Sequence, residues 1–214
     1  MRIVIVDILY TLPTKHLPMF RISYVYLMFC DILQLKASIA EWRFFSMGSV
    51  LTIANNKGGV GKTLVTLAVA STITWLQKND ASKLPQSMRK LPILVVDTDP
   101  QANTTEALGI DPVEVPVNIL ELYEDPSVIE TTSGLSLLQA SPKHKNIVVI
   151  PSSIKLESIS NTLPSQIDGR TRLKDAIDRV RDNYSLIIID TPPSLGIFTQ
   201  NAVVAADNIL IPLT

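Results

Sequence analysis

The stretch K-G-G-V-G-K-T, at residues 57–63, is the strongest indicator of the fold of this chain. An apolar run at residues 50–54, short enough for a buried strand, precedes it, and residues 64–76, long and apolar enough for a helix, follow it. A strand, a glycine-rich turn and a helix in this order bring backbone N–H groups and a helix N-terminus into one concavity, where phosphate oxygens are favoured. The stretch therefore predicts a site for a nucleoside triphosphate.

The residue types in this turn suit phosphate and magnesium. Its glycines let the backbone turn tightly and approach a ligand without a Cβ in the way. We expect the Lys62 ammonium to lie on the β- and γ-phosphates, and the Thr63 hydroxyl to bind the Mg²⁺ that bridges them. The predicted nucleotide-binding residues are Lys57, Gly58, Gly59, Val60, Gly61, Lys62, Thr63 and Leu64.

Two further apolar runs each end in an acidic residue. Residues 93–96 lead into Asp97 and Asp99, and residues 186–189 lead into Asp190. Continuous apolar runs of this length are typical of parallel strands that are buried on both faces. Carboxylates at the C-terminal ends of such strands lie on the rim where open α/β sheets bind ligands, and Asp190 is placed to hold Mg²⁺ directly or through water. The sequence therefore predicts an α/β P-loop NTPase fold with a mostly parallel sheet and helices on both faces.

Three motifs resemble a known family. The strict P-loop pattern has a glycine where this chain has Asn56, and K-G-G-x-G-K-T instead resembles the deviant Walker A motif of the ParA/MinD group of ATPases. The run V-V-D-T-D-P-Q-A-N-T-T at residues 95–105 resembles the second motif of ParA and Soj proteins. The run I-I-I-D-T-P-P-S-L-G at residues 187–196 resembles their switch II region. The resemblance covers about residues 47–214.

The resemblance implies roles for individual residues. Lys57 is the signature lysine, which reaches across a dimer interface to the partner's nucleotide. Asp99 orients the attacking water, so that the catalytic set is Lys57, Lys62 and Asp99. Asp97 supports the Mg²⁺ shell, so that the metal set is Thr63, Asp97 and Asp190. A turn at Asp99 and Pro100 that caps the next helix is the alternative reading of that motif.

The resemblance also implies a function and partners. It predicts an ATPase that forms an ATP-sandwich dimer with Mg²⁺ and acts in plasmid or chromosome partitioning or in cargo positioning. The implied partners are a ParB-like activator and nonspecific DNA, the latter through a C-terminal part that the family has beyond residue 214. The implied location is cytoplasmic and nucleoid-associated, with no membrane. Two alternatives stay open: a MinD-like division-site regulator, and a truncated remnant that binds nucleotide without hydrolysing it.

The composition of the chain limits its possible domain number, partners and cofactor sites. The chain has 214 residues, of which 46% are hydrophobic and 18% charged, which predicts one globular domain with a sizeable core. Its net charge is -1, so any contact with DNA would need a local basic patch. Cys30 is the single cysteine, which excludes an internal disulfide and a cysteine-ligated iron–sulfur centre.

Residues 1–46 show neither a helical nor a strand period. The apolar stretch at residues 22–30 is far shorter than the ~20 residues of a membrane span, and Asp7, Pro13 and Lys15 interrupt any signal-peptide pattern. We therefore expect residues 1–46 to be a mis-called or non-native extension, and residues 47–214 to be a P-loop ATPase domain that lacks its C-terminal part. The alternative is a genuine N-terminal helical arm of the kind that binds DNA in some plasmid-type family members.

The remaining elements are predicted from their local pattern. We expect a surface loop at residues 79–92, a short helix at residues 118–124 and strands at residues 135–139, 147–150 and 208–213. Residues 169–182 predict a helix, and the alternation of acidic and basic residues along it indicates a solvated face rather than a nucleic-acid stripe.

Overall fold

The structure, a computed structural model, describes the backbone of residues 2–7 together with residues 45–131 and 137–213. The strands are β1 (Arg2–Asp7), β2 (Ser49–Ile53), β3 (Ile93–Asp97), β4 (Gln139–Ala140), β5 (Ile147–Ile150), β6 (Leu186–Asp190) and β7 (Asn208–Leu213). They form one seven-stranded sheet in the order β1-β7-β2-β6-β3-β5-β4. The pairing of β4 with β5 is antiparallel, and the other neighbouring pairs are parallel. The predicted mostly parallel sheet is confirmed.

Helices connect these strands. The α-helices in the described ranges are α1 (Lys62–Asn79), α2 (Asn103–Ala107), α3 (Ile119–Glu124), α4 (Arg172–Val180) and α5 (Ile197–Ala205). Short 3₁₀ turns lie at Ala81–Lys83, Gln86–Met88, Pro126–Glu130, Ile154–Ile159, Leu163–Ser165 and Arg181–Asn183. Judged over the described residues, every helix is too short or too polar to cross a membrane.

The central strands are buried on both faces because their residues alternate between two hydrophobic clusters. Val50 of β2, Leu94 of β3 and Ile187 of β6 pack with α3, α4 and α5. The residues that follow them in sequence point the other way and pack with α1. This two-sided burial explains why the strands are continuous apolar runs rather than alternating ones. Helices on both faces, as the sequence predicts, are confirmed.

The register of the central strands brings the sequence motifs together. Asp97 at the end of β3 pairs with Asp190 at the end of β6, and Ile53 at the end of β2 pairs with Asp190 from the other side. The glycine-rich turn after β2 and the segments after β3 and β6 therefore leave the sheet at one edge. The candidate site lies at this edge.

Some predicted elements differ from the observed ones. The strand expected at residues 135–139 is wrong at Leu137, which is helical, and its first two residues lie outside the described ranges. The loop expected at residues 79–92 contains two 3₁₀ turns, because Leu84 and Met88 are buried in the core at 2% and 0% exposure. The helix expected at residues 169–182 is the shorter α4, followed by a 3₁₀ turn.

Within the N-terminal segment, the structure describes one element before residue 45. The strand β1 pairs in parallel with β7, from Arg2 opposite Asn208 to Asp7 opposite Leu213. Residues 8–44, which include His16 and Cys30, lie outside the described ranges. The expectation that residues 1–46 are not part of the domain therefore stays a prediction, and β1 is the element that an experiment must address.

Candidate functional site

The turn between β2 and α1 depends on two glycines with left-handed backbone. Gly59 has φ 74° and Gly61 has φ 84°, conformations that side chains other than glycine rarely adopt. A Cβ built on Gly59 would meet no atom of the described residues within 4 Å, so the space beside this glycine is open. Val60 between them is 1% exposed and anchors the turn in the protein. The turn is therefore held in place while its glycine face stays accessible.

The N-terminus of α1 opens into this turn. The helix begins at Lys62 after Gly61, which offers no side-chain cap, and its first turn contains no acidic residue. The N–H groups of a first helical turn have no partner within the helix, and the helix dipole places partial positive charge there. Because α1 runs for 18 residues with this end left uncapped, the geometry suits a bound anion.

The two lysines of the motif occupy different environments. Lys62 is 7% exposed, and its Nζ donates a hydrogen bond of 3.3 Å to the carbonyl oxygen of Lys57. Burial lowers the pKa of Lys62, and the nearby carboxylates of Asp190 and Asp99 oppose that shift. The Lys57 side chain is exposed. Its backbone N–H donates to Asn55 Oδ1 at 2.9 Å, and Asn55 Nδ2 donates to the Pro212 carbonyl at 2.8 Å. Asn55 thus ties the start of the loop to β7.

Asp190 is held by threonine hydroxyls. One carboxylate oxygen, Oδ2, accepts hydrogen bonds from Thr63 Oγ1 at 2.8 Å and from Thr104 Oγ1 at 2.5 Å. Its backbone carbonyl accepts from both the N–H and the hydroxyl of Thr98, at 3.0 and 2.7 Å. The other carboxylate oxygen, Oδ1, is buried and has no partner among the described residues. Burial raises the pKa of Asp190, although its hydrogen bonds to Thr104 and Thr63 act in the opposite direction.

Asp97 lies beside Asp190 and is fully buried. Its Oδ2 accepts hydrogen bonds from the backbone N–H and the hydroxyl of Thr105, at 2.9 and 2.7 Å, and its Oδ1 accepts from the Asp99 N–H at 3.1 Å. Burial, and then the neighbouring Asp190 carboxylate, raise the pKa of Asp97 to about 7. Both oxygens of Asp97 are thus engaged within the protein, so that its support of a metal shell would be indirect.

Asp99 forms a turn with the residues after it. Its Oδ1 accepts a hydrogen bond from the Gln101 N–H at 3.0 Å, and its carbonyl accepts one from Ser152 Oγ at 2.6 Å. The cap position of α2 belongs to Ala102, which has φ 55°, and not to Asp99. The alternative reading of a turn at this motif is therefore seen, although Asp99 does not cap the helix. The predicted role of Asp99 in orienting water stays a prediction.

The oxygen atoms at this edge fit a magnesium ion. The unpartnered Oδ1 of Asp190 and the adjacent Thr63 hydroxyl are hard oxygen donors, which Mg²⁺ prefers. In the part of the chain that the structure describes, no three His, Cys, Asp or Glu residues form a metal cage. An ion here would therefore depend on substrate phosphates and water for most of its ligands, as is usual for Mg²⁺ in phosphoryl-transfer sites.

Several polar residues of the site were not predicted from the sequence. They are Asn55, Thr98, Thr104, Thr105 and Ser152, and each bonds a predicted residue or the backbone beside one. The two consecutive threonines soon after D-T-D-P-Q were the available signal, because hydroxyls close to buried carboxylates are common donors. Among the predicted residues, the structure brings Lys62, Thr63, Asp97, Asp99 and Asp190 to one edge of the sheet.

Comparisons with known proteins agree with this geometry. A family model named AAA_31 and described as an AAA domain matches residues 48–214. The sporulation initiation inhibitor protein Soj of Bacillus subtilis is 35% identical over 168 residues, which are 78% of this chain and 58% of Soj. The chromosome partitioning protein ParA of Myxococcus xanthus is 33% identical over 169 residues, which are 78% of this chain and 53% of that protein.

Solved structures show the same fold. Cobyrinic acid a,c-diamide synthase from Mycobacterium smegmatis, with bound ADP and magnesium, superposes with a TM-score of 0.63 at 29% identity, over 77% of this chain and 59% of the synthase. The Cyanothece McdA complex with ATP gives a TM-score of 0.63 at 25% identity, over 78% of this chain and 56% of McdA. The chain thus spans less than two thirds of the length of these relatives.

Proposed function

The chain belongs to the AAA_31 family and is a ParA/Soj-type member of it, and from that premise we propose that it binds ATP with Mg²⁺ and hydrolyses the ATP. ATP binding would close two subunits into an ATP-sandwich dimer that partitions DNA or positions a cargo, and hydrolysis would reset that dimer. The comparisons support nucleotide and magnesium as ligands, since the matched synthase holds ADP and magnesium and the matched McdA holds ATP.

One observation carries the proposal. The uncapped N-terminus of α1 lies next to a buried carboxylate that keeps one oxygen, Asp190 Oδ1, without a partner in the described ranges. An anion on the helix N-terminus and a cation on Asp190 would satisfy both groups together. The phosphates of a nucleotide with bound Mg²⁺ supply an anion for the helix N-terminus and, next to it, a cation for Asp190.

The residues of the site have distinct roles in the proposed reaction. The backbone N–H groups of the turn and the Lys62 ammonium would hold the phosphates, and Thr63 and Asp190 would hold the ion. Bound Mg²⁺ would neutralise charge that develops on the phosphate oxygens. Asp99, which is partly exposed at the same edge, orients the attacking water. Catalysis is then positioning and charge stabilisation without a covalent intermediate on the protein.

Membership of the family supports our proposal for the wider cycle. Lys57, exposed at the head of the loop, contacts the nucleotide of a second subunit in the closed dimer. A ParB-like protein activates hydrolysis, and nonspecific DNA binds through the family region that follows β7. The protein works in the cytoplasm at the nucleoid. The relatives named above include a chromosome partitioning protein and an McdA, which favours this role over that of a MinD-like division-site regulator.

Nucleotide binding tests the first step. We expect the chain to bind a fluorescent ATP analogue with Mg²⁺, and Lys62→Ala to weaken that binding by about tenfold or more, because a charge-assisted hydrogen bond to phosphate is lost. Lys78→Ala, which removes an exposed lysine at the far end of α1, is the matched control and should bind like the parent. Equal binding by parent and Lys62→Ala would contradict the proposal.

Dimerisation and hydrolysis test the later steps. Light scattering with ATP, with phosphate release followed in parallel, separates two residues. Asp99→Ala should bind ATP and dimerise but lose most hydrolysis, because Asp99 contacts water and not phosphate. Lys57→Ala should weaken ATP-driven dimerisation itself, and hydrolysis only as a consequence. A parent that binds nucleotide but neither dimerises nor hydrolyses it would instead favour the remnant that binds without turnover.

A further inference from the structure

Thr104 makes the shortest of the hydrogen bonds that the structure gives to the Asp190 side chain. It lies in the first half of α2, is 0% exposed, and its hydroxyl donates to Asp190 Oδ2 at 2.5 Å. The bond connects residues 86 positions apart, so that it joins the segment after β3 to the end of β6. A carboxylate that receives such a bond is restricted in rotation about its χ angles.

The second donor to the same oxygen has another task in the proposed function. Thr63 also bonds Asp190 Oδ2, at 2.8 Å, and the proposed function uses the Thr63 hydroxyl as a ligand to Mg²⁺. A hydroxyl has one proton and two lone pairs, so Thr63 would share its oxygen between the ion and Oδ2, whereas the hydrogen bond that the structure gives to the Thr104 hydroxyl is the one to Oδ2. The opposite oxygen, Oδ1, is the one that lacks a partner within the described part of the chain.

The geometry points to Thr104 as a positioning residue that orients the Asp190 carboxylate toward the magnesium ion of the bound nucleotide. The inference rests on the proposed function. Thr104 fixes Oδ2, so that Oδ1 keeps one orientation toward the ion. The hydroxyl acts through Asp190 and contacts neither the ion nor the nucleotide. Thr104 follows the segment that contains Asp99. Its hydrogen bond therefore also connects Asp190, the proposed metal ligand, to the segment that is proposed to orient water.

A metal titration tests this role with a readout that does not require turnover. Binding of a fluorescent ATP analogue is followed at increasing Mg²⁺ and in EDTA, and binding of Mn²⁺ to the nucleotide complex is followed by electron paramagnetic resonance. Thr104→Val keeps the shape and removes the donor, so we expect the half-saturating Mg²⁺ and Mn²⁺ concentrations to rise by about tenfold or more. Binding in EDTA should equal that of the parent. Thr104→Ser, which restores the hydroxyl, should return to within about threefold of the parent.

The matched control is Thr199→Val on α5. Thr199 is also a buried threonine, at 4% exposure, but its hydroxyl has no hydrogen-bond partner among the described residues. Its replacement should leave the metal dependence unchanged. If Thr104→Val is too unstable to assay, Thr104→Cys keeps the side-chain volume with a much weaker donor, and the same rise is expected.

The outcomes separate this inference from the proposed function. A parent that binds no nucleotide with or without Mg²⁺ would overturn the proposed function and the inference together. A parent that binds, with Thr104→Val matching its metal dependence, would overturn the inference alone. Equal loss of binding by Thr104→Val in EDTA and in Mg²⁺ would also overturn it, because Thr104 would then support the whole loop rather than the orientation of Asp190.

Discussion

At the scale of single residues, the two buried carboxylates at the ends of neighbouring strands are the electrostatically unfavourable feature of this site. Asp97 and Asp190 are paired in register and almost fully buried, at 0% and 1% exposure. Two adjacent negative charges in a low-dielectric interior are costly, and burial accordingly raises the pKa of each group. Hydroxyl donors reduce that cost for both. Of these two carboxylates, only Asp190 keeps an oxygen without a partner in the described structure, and this difference fits the metal-binding role proposed for Asp190.

The stability of the metal-free protein should depend on the pH through Asp97. Its folded pKa of about 7 exceeds the ordinary value of 3.8, so the folded state keeps a proton that the unfolded state has lost. The free energy of unfolding should therefore fall as the pH rises from about 4 to about 7, by up to about 4 kcal/mol. Urea denaturation in EDTA across this range measures the slope.

Two variants identify the source of that slope. Asp97→Asn cannot ionise, so its slope should be shallower, and its stability deficit relative to the parent should be larger at pH 5 than at pH 8. Glu114→Gln removes an exposed carboxylate and is the control, for which the parent slope is expected. Parallel pH profiles for Asp97→Asn and the parent would show that Asp97 does not titrate in this range.

Tyr123 gives a second prediction at this scale. Its side chain is 0% exposed, its ring lies 5.4 Å from that of Phe198, and its hydroxyl has no partner in the residues described. A buried unsatisfied hydroxyl destabilises a fold. The free energy of unfolding of Tyr123→Phe should therefore equal that of the parent or exceed it by up to about 1 kcal/mol. Phe198→Ala, which removes the packed ring, should cost about 3–5 kcal/mol. Chemical denaturation measures both, and a loss above about 1 kcal/mol for Tyr123→Phe would reveal a hydrogen bond to that hydroxyl.

At the scale of elements, four of the five named helices begin without a side-chain cap, and two of them, α1 and α4, do so for different reasons. The N-terminus of α1 lies open beside the glycine turn, as a phosphate site requires. The N-terminus of α4 lacks a side-chain cap from Thr171, but it is buried against α5. There Asn201 Oδ1 accepts from the Leu173 N–H at 3.2 Å, and its Nδ2 donates to the Gly169 carbonyl at 2.8 Å. The N-terminus of α1 is thus left open where we propose that phosphate binds, whereas that of α4 is satisfied by the neighbouring helix.

Removal of this cap between helices should destabilise the protein. Asn201→Ala leaves the Leu173 N–H and the Gly169 carbonyl without their partner in a buried setting, which we expect to cost about 2–4 kcal/mol of unfolding free energy. Gln200→Ala, at the exposed neighbouring position of α5, should change stability by less than about 1 kcal/mol. Thermal and urea unfolding compare the two. Similar, small losses for both variants would show that Asn201 contributes no cap.

Some elements of the fold could be predicted from the sequence, and others could not. The buried strands were predictable because apolar, β-branched runs such as residues 93–96 have few other stable placements. Leu84 and Met88 were not, because their polar surroundings resemble a loop and only the tertiary fold gives them a core to enter. In the site, the motif residues were predictable from their order. The bond from Thr104 to Asp190 was not, since it depends on the register of β3 against β6 and on the start of α2.

At the scale of the whole molecule, the basic residues of α4 and of the turn after it are held in ion pairs. Along α4 and just after it, Arg172, Lys174 and Arg181 form ion pairs with nearby aspartates, and Arg179 pairs with Glu130. The sequence carries a net charge of -1. Paired cations on a slightly acidic protein release few counterions from DNA, because their charge is already compensated.

The 214-residue chain should therefore bind nonspecific duplex DNA weakly. We expect a Kd above about 10 μM at about 0.15 M salt, with only a shallow dependence on salt concentration. Fluorescence anisotropy of a labelled duplex at several salt concentrations measures both quantities. The double variant Asp178→Asn with Glu130→Gln neutralises the acidic partners of Lys174 and Arg179. It should bind DNA more tightly and with a steeper dependence on salt concentration. Tight, salt-sensitive binding by the parent would show a basic surface that these ion pairs do not reveal.

The last prediction concerns the N-terminal segment and the edge of the sheet. The strand β7 is held on its inner side by β2, with Leu51 opposite Asn208 and Ile53 opposite Leu210, and on its outer side by β1. The residue before β2 is held by hydrogen bonds of its own. The Gly48 N–H donates to the Tyr184 carbonyl at 2.9 Å, and the Gly48 carbonyl accepts from Arg181 Nε at 3.1 Å. These contacts do not involve β1. A chain that begins at Met47 should therefore keep the core and melt at the temperature of the whole chain.

Thermal unfolding of the two chains measures this directly, and proline variants of the whole chain make the result specific to β1. In a strand, alternate backbone N–H groups face a given neighbour, so one of Val4→Pro and Ile5→Pro removes a bond to β7 if β1 contributes to the fold. We expect both variants, like the shortened chain, to melt within about 2 °C of the parent. A fall of about 4 °C or more, which for a chain of this size corresponds to at least about 1 kcal/mol, would show instead that β1 is an integral edge strand. In that case residues 1–46 could not be a mis-called extension, because the sheet itself would depend on them.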